Sequence, residues 1–250
     1  MSIKDAVRPV LREARATVLP DPADRHGPLP PLMLALTVVT GLVDAFSYLA
    51  LGHVFVANMT GNVVFAGFAV AGAAGFSLAA SLAALAAFGA GALVGGRIAH
   101  RARAHRGRVL RAALAVETVL FLAAYAVARY GTAPDTSATR YQLIALLGLA
   151  MGVQNATARA LAVPDLTTTV LTLTITGMAS DSRAAGGTGG RTGRRALSAL
   201  AMFAGALAGA FAVRHGSPAL PLLLACVLLA GCALAACVQA RSDAPWSKPL

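Results

Sequence analysis

Asn58-Met59-Thr60-Gly61-Asn62 sets two amides, a hydroxyl and a glycine inside an otherwise apolar region, with an acid, Asp44, on the apolar run just before it. Hydrocarbon does not tolerate unsatisfied polar groups, so such a cluster at membrane depth must face protein, water or a ligand. The flanking composition puts it at membrane depth. Hydrophobic residues make up 57% of the 250, and only 12% are charged, where a soluble domain carries about 25% charged residues. The fold class is all-α, a polytopic helical membrane protein.

Working outward, the first span runs from about Leu32 to Leu51, roughly 20 residues and so about 30 Å of helix, enough to cross a bilayer. After the polar stretch come an apolar piece from Val63 to Gly75 and long apolar runs near 77–99, 109–128, 141–160, 196–213 and 218–238. A second odd segment, Pro164 to Asp181, crowds Thr167, Thr168, Thr169, Thr172, Thr174 and Thr176 together.

The halves repeat. Gly41-Leu42-Val43-Asp44-Ala45 overlays Gly152-Val153-Gln154-Asn155-Ala156 at an offset of 111 residues, and with one residue inserted Met59-Thr60 falls on Leu171-Thr172. Each half then carries a small-residue ladder, Gly91 with Gly95 and Gly205 with Gly209, the spacing that lets membrane helices approach closely. These ladders suit contacts within one protomer or between protomers of a homo-oligomer.

Whether the polar segments cross the membrane decides the topology, and Lys and Arg placement arbitrates, since cytoplasmic loops are enriched in both. If both segments dip in and return on the same side, 18 of the 21 Lys and Arg fall on the cytoplasmic side, leaving Arg129, Arg140 and Arg214 outside. If both cross, the cytoplasmic count falls to 13 with the N-terminus inside and 8 with it outside. The expectation is six transmembrane helices plus two short re-entrant helical segments, in two inverted repeats of about 32–130 and 139–238. Asn58 is the expected N-cap of the first short helix, and Asp165 or Thr167 of the second. Their N-termini, near the midplane, favour a small polar or anionic solute.

Three segments follow. Residues 1–29 form a cytoplasmic N-terminal segment, amphipathic or disordered, in which a helix would hold Pro9 in its first turn. Residues 30–238 form one transmembrane domain, and 239–250 a cytoplasmic tail. No cleavable signal peptide is expected. Basic clusters at the loops suit anionic lipid rather than nucleic acid.

Gly41-Leu-Val-Asp-Ala45, Val54-Phe-Val-Ala-Asn-Met-Thr-Gly-Asn62 and Gly152-Val-Gln-Asn-Ala156 together resemble the YoaK family of bacterial inner-membrane proteins, whose function is unassigned. The resemblance covers about residues 32 to 238, with Asn-Met-Thr-Gly-Asn its most specific part. It implies a six-span protein of the bacterial plasma (inner) membrane and supplies no reaction. In the second half this chain has Thr172-Leu173 where a Thr-Gly pair is expected, with Gly177 further on.

The candidate substrate-binding residues are Asp44, Asn58, Thr60, Gly61, Asn62, Gln154, Asn155 and Thr172. Amides and hydroxyls coordinate a polar guest, and glycine allows close backbone approach. Each also has a structural reading, in which it satisfies the open backbone of a broken helix, and Asp44 has a further one as the partner of Arg159. Asp44 and Glu117 are the candidates for proton coupling. Arg159 and His53 read as interfacial residues. Cys226, Cys232 and Cys237 lack paired ligand spacing, and no metal or cofactor is expected. Gly186 to Arg195 looks like a phosphate-binding loop but lacks a preceding strand and a Gly-Lys-Ser/Thr ending, so it reads as a flexible basic linker. No constellation suggests a catalytic residue or an enzyme. The leading expectation is a small-solute transporter or channel, and the alternative is a non-transporting membrane scaffold or lipid-binding protein.

Overall fold

A computed structural model describes residues 3–21, 24–131, 136–169, 171–182, 185–187, 190–239 and 245–248. These residues form nine α-helices and one 3-10 turn: α1 (Ile3–Val18), α2 (Leu29–Ala50), α3 (Met59–Val70), α4 (Leu78–Arg101), α5 (Arg106–Tyr130), α6 (Ser137–Leu161), α7 (Leu171–Ser180), α8 (Thr192–His215), α9 (Leu220–Gln239) and Pro245–Ser247. Six of them, α2, α4, α5, α6, α8 and α9, are long and apolar enough to cross a membrane. They coincide with the six apolar runs of the sequence. α3 has 12 residues and α7 has 10, about 18 and 15 Å of rise, well short of a hydrocarbon core about 30 Å thick.

Both short segments return to the face they left. His53, just past the end of α2, hydrogen-bonds through Nδ1 to the Gly75 carbonyl at 3.1 Å, and its ring lies 5.9 Å from that of Phe76. In the other half a single guanidinium does this work. Arg195 donates from Nε to Asp165 at 2.9 Å, just past α6, and from Nη1 to Asp181 at 2.7 Å, just past α7. Each chain segment therefore turns back beside its own long helix, as the basic-residue count requires.

The two halves pack by one rule. α4 lies along α6 and α8 along α2, so each half lends its second long helix to the first long helix of the other. Glycine sets the approach. A Cβ on Gly91 would stand 2.0 Å from the Leu149 carbonyl oxygen, and one on Gly205 would stand 2.2 Å from that of Val38. Gly152 meets the Phe88 carbonyl as Gly41 meets that of Met202, and Gly95 meets that of Val153 as Gly209 meets that of Leu42. Every one of these contacts maps onto its counterpart by the repeat offsets. The ladders are thus spent on contacts within the chain.

One face gathers α1, the start of α2, the α4–α5 turn, the end of α6, the start of α8 and the 3-10 turn. Arg106 holds the Arg25 carbonyl at 3.3 Å and also bonds the Leu161 carbonyl, answering an open C=O at the end of α6. Glu13 Oε2 accepts the Gly193 N–H at 2.9 Å, capping α8. Trp246 is buried against Gly27. On the opposite face Arg140 donates to the Gly52 carbonyl at 3.2 Å.

Two expectations need correction. α1 starts at Ile3, so Pro9 lies inside the helix and not in its first turn; docking through Glu13 onto α8 offsets the backbone bond that proline removes. α7 begins at Leu171, so neither Asp165 nor Thr167 caps it. Asp165 is drawn instead to Arg195, and Thr168 still turns with φ +63°. Val170, which precedes α7, lies outside the described residues, as does part of the glycine-rich stretch 186–195.

Candidate functional site

The segment 51–58 runs back down the side of α2. It is held there by Asp44, whose Oδ1 accepts the Ala57 N–H at 2.9 Å and the Val56 N–H at 3.3 Å. Asp44 sits six residues before the end of α2, so the dip reaches about 9 Å below that end before α3 begins. No ion pair joins it to Arg159 among the described residues; Arg159 is exposed.

The dip is then locked. Asn62 is fully buried, and its amide closes a reciprocal pair with Phe55, accepting the Phe55 N–H at 2.9 Å and donating to the Phe55 carbonyl at 2.7 Å. Asn58 caps α3, its Oδ1 accepting the Gly61 N–H at 3.4 Å. Gly61 is required by a ring: a Cβ there would lie 2.6 Å from Phe55 Cδ2. The close approach that this glycine permits is to Phe55.

In the second half Asn155 takes the place of Asp44. Its Oδ1 accepts the Thr169 hydroxyl at 2.5 Å and its Nδ2 donates to the Met151 carbonyl at 2.9 Å. Thr169 is the repeat counterpart of Ala57, so both halves pin the same point of the dip to the same turn of the preceding helix, one through a backbone N–H and one through a hydroxyl. Gln154 lies elsewhere, at the crossing of α2 and α6, where Nε2 donates to Thr40 Oγ1 at 2.9 Å and to the Leu36 carbonyl at 3.3 Å.

Between the starts of α3 and α7 lies a cavity of about 870 Å³. Of the eight candidate residues, Asp44, Asn58, Thr60, Gly61 and Thr172 line it, while Asn62, Gln154 and Asn155 do not. Thr60 and Thr172 are repeat counterparts, and both are exposed there. The remaining wall is apolar and aromatic, with Tyr48, Phe55, Phe65, Phe88 and Met202 prominent. The sequence reading missed these aromatic residues and Thr169. Tyr48 carried a signal, since it lies one turn beyond Asp44 on the same helix face.

Glu117 stands apart. It is buried on α5, which packs against α9, and Oε2 has no hydrogen-bond partner among the described residues. It does not line the cavity. Among the described residues no group of three His, Cys, Asp or Glu is placed to hold a metal ion. Outside the spans, the Arg195 hydrogen bond holds the Asp181 carboxyl below its ordinary pKa, and burial followed by the Arg106 charge lowers that of His26.

A family described as a protein of unknown function (DUF1275) matches residues 32–235. The chain is also similar to the UPF0700 transmembrane protein YoaK of Bacillus subtilis (strain 168), at 31% identity over 151 residues. That alignment covers 60% of this chain and 65% of the relative, just under two thirds of its length. No solved structure matches the chain. With six spans, two returning dips and a family match running from the first span to the last, this chain belongs to the DUF1275 family of transmembrane proteins.

Proposed function

We propose that the chain is a small-solute transporter or channel of the bacterial plasma (inner) membrane, with both termini cytoplasmic. The observation that carries this reading is the cavity at the meeting of two broken segments from inverted halves, the arrangement in which secondary transporters build their sites. Its volume lies within the range of small-molecule sites. The hydroxyls of Thr60 and Thr172, both exposed in the cavity, offer one symmetric pair of ligands, and Asp44 is the acid placed for proton coupling. Nothing in this reading requires a bond to be made or broken in the solute, so the protein is read as a non-enzyme.

Flux through proteoliposomes tests it. Parent protein should move at least one member of a panel of small polar solutes, and Thr60→Val with Thr172→Val should slow that flux about tenfold, the loss of one to two hydrogen bonds. Equal flux in liposomes with and without protein across the panel would sink the reading.

The alternative, a scaffold or lipid-binding protein, is favoured by the internal use of Asn62, Gln154 and Asn155. Anionic lipid has a natural contact in either reading: α1 exposes Arg8, Arg12 and Arg15 together with Leu11 and Val18, and Leu19 just past its end is exposed as well. A homo-oligomer, if formed, would need a surface other than the glycine ladders. The scaffold reading expects that no solute raises the melting temperature.

A further inference from the structure

We propose that the cavity takes an organic cation, an ammonium or guanidinium carried on an apolar or aromatic body; this rests on the solute-binding reading above. The charge balance comes first. Among the described residues Asp44 is the single acidic or basic side chain in the lining, so an anion would find no Lys, Arg or His of theirs to meet it. Helix N-termini do favour anions, but a carboxylate stands beside the start of α3, and one of the open N–H groups there is taken by its cap. Asp44 Oδ1 takes the Val56 and Ala57 N–H groups, and Asn58 takes that of Gly61. Each helix end contributes about half a charge, and the carboxylate a whole one.

The second observation is the geometry of the acid. The Val56 and Ala57 N–H groups both bond Oδ1, and the Asn58 N–H also reaches the carboxylate. The acid is only partly buried and lines the cavity. A carboxylate has about four acceptor sites, so these backbone N–H groups leave it capacity for a guest with N–H donors.

The third is the wall beside it. Tyr48 stacks on Phe55 with ring centroids 5.1 Å apart, and Phe55 on Phe65 at 5.5 Å, each pair within 25° of parallel. All three rings line the same cavity as Asp44, and Tyr48 is one turn from it. Aromatic rings attract cations and bury flat apolar bodies. The second half offers no equivalent: Gly177, the counterpart of Phe65, lies under the Arg195 guanidinium. The binding surface is therefore asymmetric although the backbone repeat is not.

Three probes that differ only at the head group test this on the purified full chain in lipid nanodiscs: 2-phenylethylammonium, 2-phenylethanol and 3-phenylpropionate, read by calorimetry and thermal shift. The ammonium should bind about tenfold or more tighter than the carboxylate. Asp44→Asn keeps an Oδ1 acceptor for Val56 and Ala57, so the protein should fold. It should weaken the ammonium about tenfold while leaving the alcohol within about threefold. Tyr48→Leu should weaken all three probes. Ammonium binding indifferent to Asp44→Asn, or no ammonium binding at about 10 mM, would overturn the proposal. Tighter binding of the carboxylate, sensitive to Thr60→Val, would overturn the cation class alone and leave the solute reading standing.

Discussion

At the scale of single residues, the polar groups of the dip divide into those that hold it and those that face the cavity. Asp44 does both, and this makes its two simplest substitutions diverge. Asp44→Ala strands the Val56 and Ala57 N–H groups, and should cost about 1–3 kcal/mol of stability in detergent unfolding, whereas Asp44→Asn should cost clearly less. Equal losses would mean that Oδ1 does not hold the dip. Asn62→Ala opens the pair with Phe55 inside a fully buried site and belongs with the first. Its loss should leave the binding of any cavity solute to the still-folded fraction unchanged. The cap at Asn58 was legible in the sequence because an N-cap is a local pattern. The role of Asn62 was not, since its partner is backbone seven residues back that comes within reach only once the chain has turned.

At the scale of elements, the two dips are latched to their faces by different chemistry. α3 is closed by His53, Phe65 and Phe76 in an aromatic cluster, and α7 by Arg195 with Asp165 and Asp181. Arg195→Ala should raise amide exchange across α7 and leave α3 unchanged; a change in α3 alone would contradict the assignment. The Asp181 carboxyl has a lowered pKa, its Arg195 hydrogen bond the main cause. The Asp181 side of the latch is therefore intact above the ordinary carboxylate range and lost only as pH falls through the lowered value. Protection of the α7 amides, corrected for the intrinsic pH dependence of exchange, should stay flat from about pH 8 to 5 and fall only below about pH 4. The start of α7 escaped the sequence because Asp165 looked like a local cap, and its true partner stands 30 residues further along the chain.

The long helices meet through glycine, and here the sequence was partly sufficient: the ladders marked Gly91, Gly95, Gly205 and Gly209 as positions of close approach, without naming what they meet. What spacing alone left open was which helices they joined, and whether these belonged to one chain or to two. Gly91→Ala and Gly205→Ala each drive a Cβ into a backbone carbonyl, and the two should lower stability by similar amounts, about 1–3 kcal/mol. Gly67→Ala and Gly231→Ala meet nothing within 4 Å and should be neutral or slightly stabilising. A large asymmetry between the first two would argue against equivalent packing of the halves.

At the scale of the whole molecule, the six spans and two dips follow from composition, hydropathy and the placement of Lys and Arg, because the bilayer constrains length and charge so strongly. The solute does not follow, because its class depends on which rings and which carboxylate oxygen converge at the cavity. The central claim is that each dip returns to the face it left. In oriented vesicles, with Cys226, Cys232 and Cys237 replaced, single cysteines at Ala74, Ser217 and Ala185 should be tested for labelling by a membrane-impermeant thiol reagent. Labelling of Ala74 and Ser217 from outside and of Ala185 from inside is the expected result. Labelling of Ala74 from inside would mean that the first polar segment crosses the membrane, and would contradict the inverted repeat and the cavity built on it.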